Sequence, residues 1–168
     1  SRSVRPQFSQ LCLQAAEPMV HFLESILHPD EEIPLFGDSG FGEAPGVEEI
    51  RWLTKQNGLQ VPAAANGFQA VGPYRIFRQQ GEPSQPNKAE TGDDPSDQDF
   101  LICDFGEVAQ AQLPAHGHCD LLGLEASIAG KRWFVDSGNF NYEDDSMRRY
   151  CRSSLAHNVV SVDGANQC

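Results

Sequence analysis

The chain has no uninterrupted apolar run long enough to cross a bilayer, so no membrane-spanning helix is expected. It also has no basic surplus. The formal net charge is -12 and the sequence pI about 4.6, the wrong sign for a surface that must meet nucleic-acid phosphates. Five cysteines are present (Cys12, Cys103, Cys119, Cys151 and Cys168), but no CxxC pair and no regular spacing. Neither a zinc finger nor a disulfide framework is supported, and buried free thiols are the default. There is no internal repeat, no signal peptide and no initiator methionine. The chain opens on Ser1 and stops at Cys168, straight after a strand-like run and a turn. Both ends read as internal to a longer chain.

What is there divides into two grammars. Up to about residue 62 the pattern is helical. Phe8, Leu11, Cys12, Ala15, Ala16, Met19, Phe22, Leu23, Ile26 and Leu27 recur at three- and four-residue steps, predicting helix over 6–28. Pro18 either kinks that helix or starts a second one, and Pro29 stops it. Residues 34–46 are loop by composition, and Val47–Lys55 predicts a short helix ending before Asn57–Gly58. Beyond residue 65 the pattern is that of strands: Phe68–Phe77, Asp99–Phe105, a hairpin of Leu121–Ile128 and Lys131–Val135 around Ala129–Gly130, and Asn158–Val162. Between the first two lies an acidic, proline-interrupted stretch, 81–99, expected to be a flexible surface loop.

The chemistry concentrates between His116 and His157. If residues 116–120 are extended, His116, His118 and Asp120 share one face and Cys119 points the other way. Asp136 follows the strand-like Trp133–Phe134–Val135, and His157 precedes Asn158–Val162. All of these groups stand at strand ends, where a sheet presents side chains to its rim. Imidazoles and a carboxylate are ligand types that zinc accepts, usually with one position left open. The spacing matches no compact finger, so such a site would have to be assembled by the fold. A local basic cluster also stands out in this acidic chain. Lys131, Arg132, Arg148, Arg149 and Arg152 slightly outnumber the acids around them, Asp136, Glu143, Asp144 and Asp145. It suits either an anionic ligand or a solvated face.

These residues carry a resemblance. His116–Gly117–His118–Cys119–Asp120–Leu121–Leu122 is similar to the HGHAD-type motif of the heparinase II/III-like polysaccharide lyases. Val135–Asp136–Ser137–Gly138–Asn139–Phe140–Asn141–Tyr142 resembles their VDPGTYxY segment. Arg149–Tyr150–Cys151–Arg152–Ser153–Ser154–Leu155–Ala156–His157–Asn158 is similar to their R-x-Y-x-R-S-T-x-A-H-N-T run. Upstream, Phe36–Gly37–Asp38–Ser39 looks like the loop that ends their helical domain. Cys119 stands where alanine is usual, Ser137 where proline is, and Ser154 for threonine; none of these removes a candidate ligand.

The resemblance implies an α+β chain: the C-terminal end of an α/α toroid over residues 1–62, then the first part of an antiparallel β-sandwich domain over 66–168. It implies one zinc ion, mapped to His118, Asp136 and His157, and a catalytic role for His116, mapped to the histidine that faces the substrate cleft. Zinc would be mainly structural, and Asp120 a hydrogen-bond partner rather than a ligand. Arg149 and Arg152 could attract an anionic polysaccharide, or pair with Glu143, Asp144 or Asp145. Tyr142 and Tyr150 read as core or rim aromatics. A periplasmic or secreted location follows from the same resemblance. The remaining catalytic groups of the family lie upstream of Ser1, so the chain alone is expected to be inactive. Two other classes compete. A metal-dependent hydrolase would share the His-x-His-x-Asp start of the HxHxDH pattern, but Leu121 occupies the next histidine position. A non-catalytic glycan-binding β-module is the other.

Overall fold

The computed structural model describes residues 6–81, 97–109 and 114–167. Two helices come first, α1 (Pro6–Ile26) and α2 (Val47–Gln56). Pro18 sits inside α1 without dividing it. The C-terminal end of α1 reaches the sheet's core through Ile26, and Val20 is buried in the groove shared with α2, whereas Phe8, Leu11 and Met19 of the same stripe are exposed. Helix α2 is tied to α1 by Arg51, whose Nε and Nη2 donate to the two carboxylate oxygens of Glu24, both at 2.9 Å. That bidentate geometry is the strong form of the pair.

Five strands follow in one antiparallel sheet, in sequence order: β1 (Gly67–Val71), β2 (Tyr74–Gln80), β3 (Gln98–Asp104), β4 (Leu124–Ile128) and β5 (Lys131–Phe134). The aromatic run read as one strand is two. Gly72 takes a left-handed φ of +56° that favours glycine, Pro73 follows it, and Val71 pairs with Tyr74 across the turn. The β4–β5 hairpin turns at Ala129 and Gly130, both at positive φ. The acidic loop at 81–99 lies mostly outside the described residues; at its mouth Gly81 N donates to Asp97 O at 2.6 Å.

Two further expectations are corrected. Residues 116–120 are not extended: Pro114–His116 is a 3₁₀ turn. The backbone beyond it is held by Arg152, whose Nε donates to Gly117 O and whose carbonyl accepts from Cys119 N, both at 3.0 Å. Asn158–Val162 is not a strand either. Asn158 makes two bonds to Leu124, but Val160 and Val162 lie on the surface with no neighbouring ladder among the described residues. Strand-forming side chains need such a partner.

The sheet has two unlike faces. The inner face carries Ile76, Phe100 and Ile102, which form the core with Ile26 and Phe36. It also carries polar side chains that are just as deeply buried, Arg78, Glu125 and Ser127. The outer face presents one cross-strand row, Phe68–Phe77–Leu101–Ala126–Phe134, in direct register across all five strands. Every member of that row except Ala126 is exposed to a third or more. After β5 the chain runs through a third helix, α3 (Ser146–Cys151), and a 3₁₀ turn at Ser154–Ala156. Asp145 caps α3 by accepting from Arg148 N at 2.8 Å. Among the cysteines, Cys12 is free and exposed, Cys103 and Cys151 are free, and Cys119 is in a disulfide. For Cys119 the free-thiol default therefore fails.

Candidate functional site

Four chain segments converge beside the inner face of the sheet: the loop with Asp38, the turn with His116 and His118, the post-β5 residues around Asp136, and the stretch from α3 to His157. Their centre is Asp38. One carboxylate oxygen accepts from His116 Nδ1 at 2.7 Å and the other from His118 Nε2 at 2.8 Å. Arg148 closes on both oxygens of the same carboxylate, with Nη2 3.0 Å from Oδ2. Burial pushes the Asp38 carboxyl up, but the bonds from Arg148, His118 and His116 outweigh it and hold the group below the usual carboxylate range. The two histidines thus share one carboxylate without sharing a strand face. The bent backbone lets them approach it from two sides.

They differ in exposure. The His118 side chain is fully buried, while the His116 side chain is 52% exposed. His116 packs edge-on to Tyr142 and lines an open cleft of about 480 Å³ with Asp38, Tyr74, Asp104, Gly117 and Asp120. Its Nε2 has no protein partner among the described residues, so a proton can be exchanged there while Asp38 fixes the ring. The Tyr74 phenol in the same cleft is pushed up to about 12, first by burial and then by Asp104 and Asp120.

Behind His116 lies the second pair. His157 Nδ1 is 2.8 Å from both oxygens of Asp136, and the rings of His118 and His157 are 5.3 Å apart. Burial lowers the pKa of His118 and prevails over its bond to Asp38. Burial also acts on His157, but there Asp136 prevails and the pKa is raised. Each ring turns one nitrogen to a carboxylate, which sets its tautomer. The other nitrogen is buried in each: His118 Nδ1 has no partner, and His157 Nε2 makes no well-directed bond, although the Cys151 backbone acts on that ring. A buried imidazole nitrogen without a partner on His118, with the His157 ring 5.3 Å away by centroid, fits the donor chemistry of a metal ligand pair. Asp136 backs His157 here instead of standing apart as a third donor. Among the described residues, no group of three or more His, Cys, Asp or Glu side chains forms a ready-made metal set.

The other residues singled out from the sequence take different positions. Asp120 accepts from Gly37 N at 3.0 Å and so fixes the loop that carries Asp38. Arg149 pairs with Asp144 at 2.8 Å on the open surface. Arg152 braces the backbone at Gly117 and Cys119. Two members of the site were not picked out. Asp38 is 78 residues from His116 in sequence and read only as the end of the helical segment. Arg148 lies next to Arg149, but it shares its buried face with Cys151, an i, i+3 relation that points inward.

Comparison with known families matches residues 63–168 to the family model described as Heparinase II/III-like, C-terminal. Among solved structures, heparinase III (the BT4657 gene product) is similar with a TM-score of 0.66 at 20% identity, covering 94% of this chain and 25% of that one. The heparan sulfate lyase HepC from Pedobacter heparinus is similar with a TM-score of 0.61 at 20% identity and the same coverage. A further heparinase III gives a TM-score of 0.59 at 18% identity over 97% of this chain and 28% of that one. The chain therefore spans about a quarter of the length of the structures it matches. No curated protein matches it.

Proposed function

Because the chain belongs to the heparinase II/III-like C-terminal family, we propose that it is part of a polysaccharide lyase that cleaves a uronate-containing anionic glycan by β-elimination. The observation that carries this reading is the Asp38–His116 pair at the mouth of an open cleft. Elimination from a 4-linked uronate requires the C5 proton to be removed while the sugar carboxylate is neutralised, and a proton to reach the leaving oxygen. His116, oriented through Nδ1 and open at Nε2, serves as proton carrier or as the neutralising donor. Asp38 holds its ring, and Arg148 holds Asp38. Arg149 and Arg152 would add positive charge for the anionic chain only where they give up or share their present bonds, to Asp144 and to the Gly117 carbonyl.

His118 and His157 would hold a zinc ion, with Asp136, expected as a third ligand, placed here to orient His157; the buried ring nitrogens turned away from the carboxylates support that assignment. When bound, the ion would supply a fixed positive charge that clamps the loops presenting His116. The exposed apolar row on the outer face of the sheet supports a β-sandwich, with a second sheet laid on that row. The exposed stripe of α1 supports its place at the end of a helical toroid, and a periplasmic or secreted location goes with the same reading.

The test is His116→Ala in the full-length enzyme, assayed by the absorbance of the unsaturated uronate product. The rate is expected to fall about 10²–10⁴-fold with folding retained. Unchanged turnover on uronate glycans would remove His116 from the mechanism. Absence of unsaturated product from the wild-type protein on heparan-type chains and alginate would remove the lyase reading.

A further inference from the structure

Glu125 lies on β4, outside the cluster just described, and its side chain is completely buried. A buried carboxylate is costly unless its lone pairs are met, and here four different segments meet them. Oε1 accepts from Leu35 N at 2.6 Å and from Asp136 N at 3.2 Å. Oε2 accepts from Arg132 Nη1 at 3.0 Å. It also lies 3.1 Å from His28 Nε2, an ion-pair contact rather than a well-directed hydrogen bond. The two oxygens therefore do different work. Oε2 faces scaffold: Arg132 continues to Asp30, and His28 to Ser127 Oγ at 2.7 Å. Oε1 faces the backbone of the two loops that carry the carboxylates of the candidate site. Leu35 lies three residues before Asp38, and the second amide is that of Asp136 itself.

The same two loops are also laced directly. Asn139 N donates to Ser39 O at 3.0 Å, and Gly138, at a φ of +58°, packs where any Cβ would collide with that carbonyl. We infer that Glu125 is a positioning residue: its Oε1 sets the separation of the Asp38 and Asp136 loops, and through them the placement of His118 and His157 toward a divalent metal. The inference rests on the zinc reading above and adds a residue that never touches the ion. Mutation of outer partners of metal ligands commonly weakens binding 10–100-fold.

The test compares Glu125→Asp with Ser127→Ala in the full-length protein. The first keeps the charge but falls a methylene short of its donors; the second loosens only the Oε2 side. Zinc affinity is measured by chelator competition, and amide exchange by mass spectrometry over peptides covering 35–39 and 136–141. Glu125→Asp is expected to weaken zinc about 10–100-fold and to speed exchange in both peptides. Ser127→Ala should lose thermal stability while leaving both readouts near wild type. Should Glu125→Asp not fold, Glu125→Gln, which keeps the length and gives up the charge, takes its place. Equal effects of the two substitutions per unit of stability lost, or unchanged exchange in the Glu125 variant, would overturn the inference. If the wild-type protein binds no zinc, the metal reading fails while the exchange comparison still decides the role of Glu125.

Discussion

Two histidine–carboxylate clusters lie on the same side of one sheet, and they are built to opposite ends. Around His28 both ring nitrogens have a polar neighbour, Ser127 at 2.7 Å and Glu125 at 3.1 Å, the ring packs against Phe100, and the side chain is fully buried. Around His118 and His157 each ring has one nitrogen set by a carboxylate and one with no side-chain partner among the described residues. A buried polar atom without a partner costs about 1–3 kcal/mol. The first cluster is sealed and reads as scaffold; the second is incomplete and reads as a place for a ligand. Burial alone does not separate them. What separates them is the side chain beside the second ring nitrogen: a carboxylate at 3.1 Å for His28, and none for His118 or His157 among the described residues.

The largest effect expected from that contrast is on metal. His118→Ala should weaken zinc binding by more than the roughly 100-fold that an outer partner can cost, read by chelator competition. Retained zinc in this variant would put the open cluster on the same footing as the sealed one. His28→Ala is the opposite experiment. It leaves Ser127 and Glu125 facing a void, so thermal or urea denaturation should show a loss of about 3 kcal/mol, while zinc affinity stays within a few-fold. A stable His28→Ala protein would mean that the sealed cluster contributes little to folding.

Asp38→Asn probes the joint between the two histidines. The carboxamide cannot accept from His116, His118 and Arg148 together, so zinc affinity should drop about 10–100-fold. The long-range nitrogen spectrum of His118 should show a changed tautomer. An unaltered spectrum would remove Asp38 as the group that orients the ring.

The smallest effect is on pH. Burial lowers the pKa of His28 below its ordinary value of 6.5, against the opposing pull of Glu125 and Asp30 and with the help of Arg132. The unfolded chain then takes up a proton near pH 6.5 that the folded chain refuses. Stability from this site is present above about pH 6.5, falls as the pH drops below it, and levels off once His28 protonates in the folded state. Denaturation curves between pH 7.5 and 5 for wild type and His28→Asn should diverge in that window. Parallel curves would show that His28 does not titrate differently on folding.

Much of this was legible in the chain. Both long helices and the β4–β5 hairpin were readable from periodicity and from the Ala129–Gly130 turn, because those signals are local. The Gly72–Pro73 turn was equally local, but aromatic and β-branched residues on both sides masked it. His116, His118, Asp136 and His157 were recognisable as a set from residue type and order. Asp38 was not picked out for that set, since nothing in a loop aspartate announces a partner 78 residues away.

The order of residues was enough for the class of the chain and for a candidate set of reactive groups: a helical segment, then antiparallel strands, an acidic net charge, and histidines near the strand ends. Helix periodicity, turn residues and ligand types are properties of short stretches. Only the tertiary structure decided which of these groups meet. It bent residues 116–120 away from the extended form and brought two histidines onto one carboxylate. It also left Val160 and Val162 on the surface and gave Glu125 partners from four segments. Each of those outcomes depends on groups finding their partners across long sequence separations, and that pairing is settled by packing, not by local preference.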